Sequence, residues 1–166
     1  MNFMKKLKIY LDTSVISHLD AHDTPERMQE TLDFWDVLRE NERYDVYVSS
    51  VMNRELDDCP EPKKTVLLQY RANISSVTVG ETDEIRGLAE EYVRQGVLSR
   101  KHCNDLLHIA CAVVSGCTII ASWNFKHFVN IQTIDRVNWV NLTNGYPQVR
   151  IVPPAMLMSK GDNHEL

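Results

Sequence analysis

Short apolar stretches alternate along this chain with segments of helical spacing, and that alternation constrains the fold more than any other feature. Leu7 to Leu11, Tyr44 to Val48, Ile74 to Val79, Cys117 to Ala121 and Val149 to Val152 read as strands, the Ile74 stretch as a short or edge one. Between them, Pro25 follows Thr24 at a helix start, and Met28, Leu32, Trp35 and Leu38 keep helical spacing. Ser49-Ser50 offers a cap for a helix carrying Val51 to Leu56, Cys59-Pro60-Glu61-Pro62 breaks it, and Lys63 to Tyr70 begins another. Thr82 precedes an amphipathic pattern at Ile85, Leu88, Ala89, Tyr92 and Val93. Ser99 is a candidate cap for a helix running to Ser115, apolar nearly all round and so expected to be buried, with Gly116 as its stop. Ile131 to Val140 reads as helix more readily than as strand. Strands that alternate with helices predict an α/β protein with a central parallel sheet and helices on both faces.

The chain of 166 residues is expected to form one domain over residues 1–152, with a polar tail at 153–166 that is partly disordered. A composition of 43% hydrophobic and 25% charged residues excludes disorder as the default state. No apolar run approaches the roughly 20 residues a membrane helix needs, and no apolar segment follows Lys5-Lys6 before the first strand. A cytoplasmic address and no membrane partner are therefore expected. Cys59, Cys103, Cys111 and Cys117 include no CxxC pair and read as structural thiols rather than zinc ligands. The formal net charge of -5 argues against a charge-driven DNA binder, but is compatible with a nuclease whose acidic centre is ringed by basic residues.

Acidic residues then mark one edge of the sheet. Asp12 closes the first strand at Leu11-Asp12-Thr13-Ser14, where ligands of open α/β sheets bind. Taken alone it reads equally well as a cap for the following helix. Glu55 lies about a turn into the helix after the second strand, and Asp105 stands in an otherwise apolar helix, where an unpaired carboxylate needs a cation, a donor or solvent. Asn124 follows the fourth strand with an amide oxygen able to meet a metal or its water. Oxygen-rich sets of this kind suit Mg²⁺ or Mn²⁺, which activate water and stabilise charge on a phosphodiester. Thr13 and Ser14 read as caps or as ligands of substrate or metal water. His108 reads as a packed or hydrogen-bonded histidine, and Trp123 and Phe125 as packing residues able to stack on a base. Arg100, Lys101 and Lys126 are candidates for a phosphate-binding rim.

Four motifs in order, Leu11-Asp12-Thr13-Ser14-Val15-Ile16, Arg54-Glu55-Leu56, Asn104-Asp105-Leu106-Leu107-His108-Ile109-Ala110 and Ala121-Ser122-Trp123-Asn124-Phe125-Lys126-His127-Phe128, resemble a PIN domain, with the VapC-like toxin branch nearest. The resemblance covers residues 7 to about 152 and implies a three-layer α/β/α sandwich with Mg²⁺- or Mn²⁺-dependent endoribonuclease activity on RNA. It also implies a homodimer and a cognate antitoxin that occupies the active-site groove. Asp12, Glu55 and Asp105 match the family's acidic metal-binding positions; Asn124 matches one that is often Asp, and His127 stands where many relatives carry a further acid. The missing carboxylate at Asn124 and the acidic net charge keep open an alternative, a PIN-like RNA-binding or interaction module with a degraded metal site. A phosphoacceptor domain lacks its acidic pair, and a phosphatase of the Asp-x-Asp type fails because Ser14 stands two residues after Asp12.

Overall fold

A computed structural model describes residues 5–158. Five strands, β1 (Leu7–Leu11), β2 (Tyr44–Ser49), β3 (Val77–Val79), β4 (Ile119–Ala121) and β5 (Arg150–Val152), form one sheet in the order β3-β2-β1-β4-β5. Every neighbouring pair is parallel. Parallel pairing requires crossovers, and the helices supply them: α1 (Thr13–Ser17), α2 (Pro25–Glu40), α3 (Ser50–Asp57), α4 (Lys63–Ala72), α5 (Asp83–Arg94), α6 (Cys103–Val114) and α7 (Ile131–Thr143).

The two-residue period of β1 divides the core. Tyr10, with Ile120 and Ile151, packs beneath the buried faces of α5, α6 and α7. Ile9 and Leu11, with Val46 and Val48, pack on the opposite side against Val15, Phe34, Trp35 and Leu67 from α1, α2 and α4. Helix α3 serves both layers, Val51 facing one and Met52 and Leu56 the other. The result is an α/β/α sandwich with a wholly parallel centre, as the alternation of elements predicts. Each fully buried Leu or Ile adds about 1.5–3 kcal/mol, so the two faces together dominate stability.

Local chemistry differs from expectation at several element ends. Pro25 occupies the first turn of α2, and Thr82 caps α5 by accepting the Ile85 N–H at 3.2 Å. Gly116 ends α6 with φ +84°, a conformation glycine adopts at little cost. Ser49 and Ser99 make no capping bond, however. Ser99 leads into a 3-10 turn over Arg100–His102, which delays α6 to Cys103. The Ile74 stretch pairs only over Val77–Val79, at the sheet edge. Ile131–Thr143 is helical, and Val137 and Val140 anchor it in the core. Within the expected tail, Pro154–Leu157 forms a 3-10 turn whose Leu157 is buried and whose carbonyl accepts the Tyr44 hydroxyl at 2.8 Å. Residues 159–166 lie outside the described residues.

Candidate active site

The strand order reverses at β1, which has β2 on one side and β4 on the other. A crevice at the carboxyl ends of the strands is expected at such a point. Asp12 follows β1 there, Ser122 and Asn124 follow β4, Glu55 projects from α3 after β2, and Asp105 sits in the first turn of α6. A helix that returns the chain to the start of β4 must begin at this same edge, which is why an acid in the first turn of α6 reaches the site.

Asp12 is 4% exposed and occupies the N-cap position of α1 without a side-chain capping bond. Its oxygens instead accept two hydroxyls, Ser14 Oγ at 2.5 Å on Oδ1 and Ser122 Oγ at 2.6 Å on Oδ2. Those hydroxyls are fixed in turn from the β4 loop: Ser14 Oγ accepts the Trp123 N–H at 2.8 Å, and Ser122 Oγ accepts the Asn124 N–H at 3.0 Å. Burial pushes the Asp12 carboxyl above the ordinary aspartate range. The charge of His108, the Ser122 and Ser14 hydroxyls and the Val15 amide oppose that shift without overcoming it.

His108 is the hub. It is 2% exposed; its Nδ1 lies 2.5 Å from the Tyr10 hydroxyl, and its Nε2 lies 2.5 Å from Glu55 Oε1. The Tyr10 hydroxyl also meets Ser49 Oγ at 2.7 Å, which is where the serine expected to cap α3 is used instead. Burial keeps the Tyr10 phenol protonated. A hydrogen-bonded chain runs from Ser49 through the Tyr10 hydroxyl to His108 Nδ1 and onward from His108 Nε2–H to Glu55. Thr13 Oγ1 donates to the same Glu55 Oε1 at 3.0 Å, so Oε2 is left without a hydrogen bond among the described residues. Burial pulls the Glu55 carboxyl upward, but the hydrogen bond and charge of His108, with Thr13 and Arg54, outweigh it and leave the group below its ordinary range.

Asp105 has the barest surroundings. His102 Nδ1 stands 3.8 Å from it, beyond hydrogen-bond length, and burial pushes its carboxyl up against the charges of His108, His127 and His102. Glu55 adds to the upward push, so Asp105 and Glu55 share one electrostatic neighbourhood. Among the described residues no lysine or arginine forms an ion pair with Asp12, Glu55 or Asp105. Carboxylates gathered around one histidine and short of positive charge are the donor set a hard divalent cation requires. Their oxygens suit a divalent ion in kind, whereas the set that brings its ligand atoms within 4.8 Å of one another among the described residues is His102, Asp105 and His127.

Other expected site residues fall on either side of this cluster. Asn124 turns its Oδ1 to the His127 N–H at 2.9 Å, and its carbonyl accepts the Phe128 and Val129 amides, so it braces the loop. Lys101 and Lys126 both lie close enough to His127 to help burial lower its pKa. Arg100 is held by Glu90 in a two-point pair, at 3.0 and 2.5 Å. Trp123 is buried and donates Nε1–H to Thr31 Oγ1 at 2.9 Å, which makes it a packing residue, whereas Phe125 is exposed. Sequence reasoning missed Ser122, His102, the Tyr10–Ser49 relay and Arg27, which lies over the rings of Trp123 and Phe125 at 5.5 and 5.0 Å. Only Ser122 carried a signal, as the first polar residue after an apolar strand.

No protein-family model and no curated protein sequence matches the chain. Among solved structures it is similar to a chain of VapBC2 from Rickettsia felis, bound in that crystal to a DNA fragment from the promoter. The TM-score is 0.57 at 14% sequence identity, over 87% of this chain and 97% of that one. At that identity the likeness speaks to fold, and the fold is a three-layer α/β/α sandwich consistent with a PIN-like architecture. No helix among the described residues is long and apolar enough to cross a membrane.

Proposed function

We propose that this protein is a cytoplasmic, Mg²⁺- or Mn²⁺-dependent endoribonuclease, the toxin of a type II toxin–antitoxin pair. The observation that carries the reading is the placement of Asp12, Glu55 and Asp105 at the reversal point of the sheet, each within electrostatic reach of His108 and none paired with a lysine or arginine among the described residues. Asp12 and Asp105 would hold the ion. A divalent ion bound there supplies acidity to water and offsets charge on the phosphodiester. Glu55, anchored through Oε1 by Thr13 and His108, keeps Oε2 free to take a proton from the attacking water, and its lowered pKa keeps it ionised at neutral pH. Ser14 and Ser122 hold both Asp12 oxygens, which fixes the carboxylate before substrate arrives. Lys101 and Lys126 flank the crevice for RNA phosphates. The VapBC2 likeness supports an antitoxin partner, and the family resemblance supports a homodimer.

Asn124, engaged by its own loop, favours the competing reading of an RNA-binding or interaction module with a weakened metal site. The deciding experiment is RNA cleavage with and without Mg²⁺ or Mn²⁺, in the wild type and in Asp105→Asn. Metal-dependent cleavage abolished by the substitution supports the nuclease. Equal cleavage by both proteins overturns the site, and no binding of either ion at millimolar concentration in calorimetry favours the module.

A further inference from the structure

Beside the carboxylate cluster the chain assembles nitrogen donors that the nuclease reading does not use. His102 ends the 3-10 turn before α6, Asp105 lies one helical turn on, and His127 arrives from the loop after β4. One ligand atom from each of the three lies within 4.8 Å of the others, and all three residues are half-buried. The imidazole rings stand 4.1 Å apart at 42°, without a hydrogen bond between them. The His102–Asp105 separation of 3.8 Å is likewise too long for one.

These positions are held from outside the cluster. Asn124 Oδ1 accepts the His127 amide at 2.9 Å, and the Asn124 carbonyl takes the Phe128 and Val129 amides, pinning the loop through a fully buried Phe128. The three side chains therefore face a common space with their backbones fixed. A tetrahedral ion with bonds of about 2.0–2.1 Å sets its ligands about 3.3–3.4 Å apart. Side-chain rotation closes a gap of this size without moving the backbone.

We propose that His102, Asp105 and His127 form a site for a borderline divalent transition ion of the Zn²⁺ or Co²⁺ kind, with solvent or a substrate oxygen completing the coordination. Two imidazoles and one carboxylate select such ions over Mg²⁺, which demands oxygen ligands and retains its waters. Asp105 is common to this set and to the carboxylate cluster, so an ion held by the histidines withdraws Asp105 from Mg²⁺. Occupancy by Zn²⁺ thus inhibits Mg²⁺-supported cleavage. That coupling rests on the nuclease reading; the binding itself does not.

The experiment titrates the metal-free full chain with Co²⁺, followed by visible absorption, and with Zn²⁺ in competition with a chromophoric chelator. Wild type, His102→Gln, His127→Gln, the double variant and Asp12→Asn are compared, each checked by thermal denaturation for retention of fold. Dividing the affinity of a four-ligand zinc site among its ligands gives about 100-fold weakening for each histidine removed. Asp12→Asn keeps wild-type affinity. Co²⁺ binding unchanged in the folded double variant, binding abolished by Asp12→Asn, or no binding by the wild type up to millimolar Co²⁺ each overturns the proposal. Cleavage assays separate the two readings. Histidine-dependent binding in a protein that never cuts RNA leaves this site standing and removes the nuclease, and Mg²⁺-dependent cleavage without Co²⁺ binding does the reverse.

Discussion

Asp12→Asn separates a ligand from a cap, because the two roles give opposite signs of stability change. The substitution keeps shape and removes charge from a side chain that is 4% exposed. It weakens one of two charge-assisted bonds, from Ser14 at 2.5 Å and Ser122 at 2.6 Å, to a neutral one and forces the other to reverse, since the amide nitrogen donates and cannot accept, a combined loss of about 2 kcal/mol. Against this, keeping an ion out of water without a cation costs several kcal/mol even after relaxation. The upward direction of the Asp12 pKa says that burial outweighs the bonds. Metal-free Asp12→Asn should therefore be more stable than the wild type by about 1–3 kcal/mol, or roughly 2–12 °C in Tm for a chain of this size. The sign of the pH dependence follows. A carboxyl whose folded pKa is raised contributes stability below its unfolded pKa, about 3.9, and loses it as pH rises through the folded value. The advantage of the variant should thus be present at neutral pH and fade as pH falls toward 4. Saturating Mn²⁺ then reverses the order, since an ion at 100 times its Kd adds about 2.7 kcal/mol to the wild type and little to the variant. The assay is thermal denaturation after chelator treatment, with and without Mn²⁺, at neutral and acid pH. A metal-free wild type more stable than Asp12→Asn at neutral pH would refute the reasoning and return Asp12 to a structural role.

Further outcomes test the network around it. His108→Leu leaves the Tyr10 hydroxyl its Ser49 bond and Glu55 its Thr13 bond, so it should destabilise by roughly 1–3 kcal/mol in denaturant unfolding without abolishing the fold. The same variant removes the main influence holding the Glu55 carboxyl low, so the acid limb of the cleavage pH profile should move to higher pH; an unmoved limb would remove Glu55 as the base. Tyr10→Phe leaves His108 Nδ1 without a partner in a buried position and should cost about 1–3 kcal/mol, measured by chemical denaturation. Lys101→Ala and Lys126→Ala should each lower the slope of log affinity for single-stranded RNA against log salt by about 0.7, while Arg100→Ala, whose guanidinium is engaged by Glu90, should leave it nearly unchanged.

The sheet and its helix layers were legible because both rest on periodicity, and periodicity survives in a single chain. The buried run Ile109 to Val113 and the pattern from Ile85 to Tyr92 admit few other placements. The acidic corners were legible for a related reason: Asp105 among apolar neighbours and Asp12 after an apolar strand are local anomalies. What held those acids in place was not legible. Ser49, Ser99, Thr13 and Ser14 all read as caps, since a hydroxyl before a helix usually is one. Ser49 bonds Tyr10, Thr13 bonds Glu55 and Ser14 bonds Asp12, choices made by partners 39, 42 and 2 residues away. For Ser49 and Thr13, tertiary proximity, which no local pattern encodes, decides between a backbone amide and a side chain as partner.

Asn124 and His127 show how a change of residue type alters the site without altering the fold. An aspartate at 124 would accept the His127 amide as Asn124 Oδ1 now does, because either side chain can close such a turn. The amide therefore keeps the loop while withdrawing one negative charge. Its backbone N–H still reaches Asp12 through one hydroxyl, Asn124 to Ser122 Oγ at 3.0 Å and Ser122 to Asp12 at 2.6 Å. With Asp12, Glu55 and Asp105 as its acids among the described residues, the cluster carries enough charge to offset one divalent ion and part of a second. Calorimetry with Mg²⁺, which the histidines do not attract, should accordingly give one ion per chain. Asn124→Asp, with the loop bond preserved, should tighten Mg²⁺ binding or admit a second ion. Two Mg²⁺ ions in the wild type would show that Asn124 leaves its loop to serve as a ligand, and unchanged binding in Asn124→Asp would show that position 124 never faces the ion.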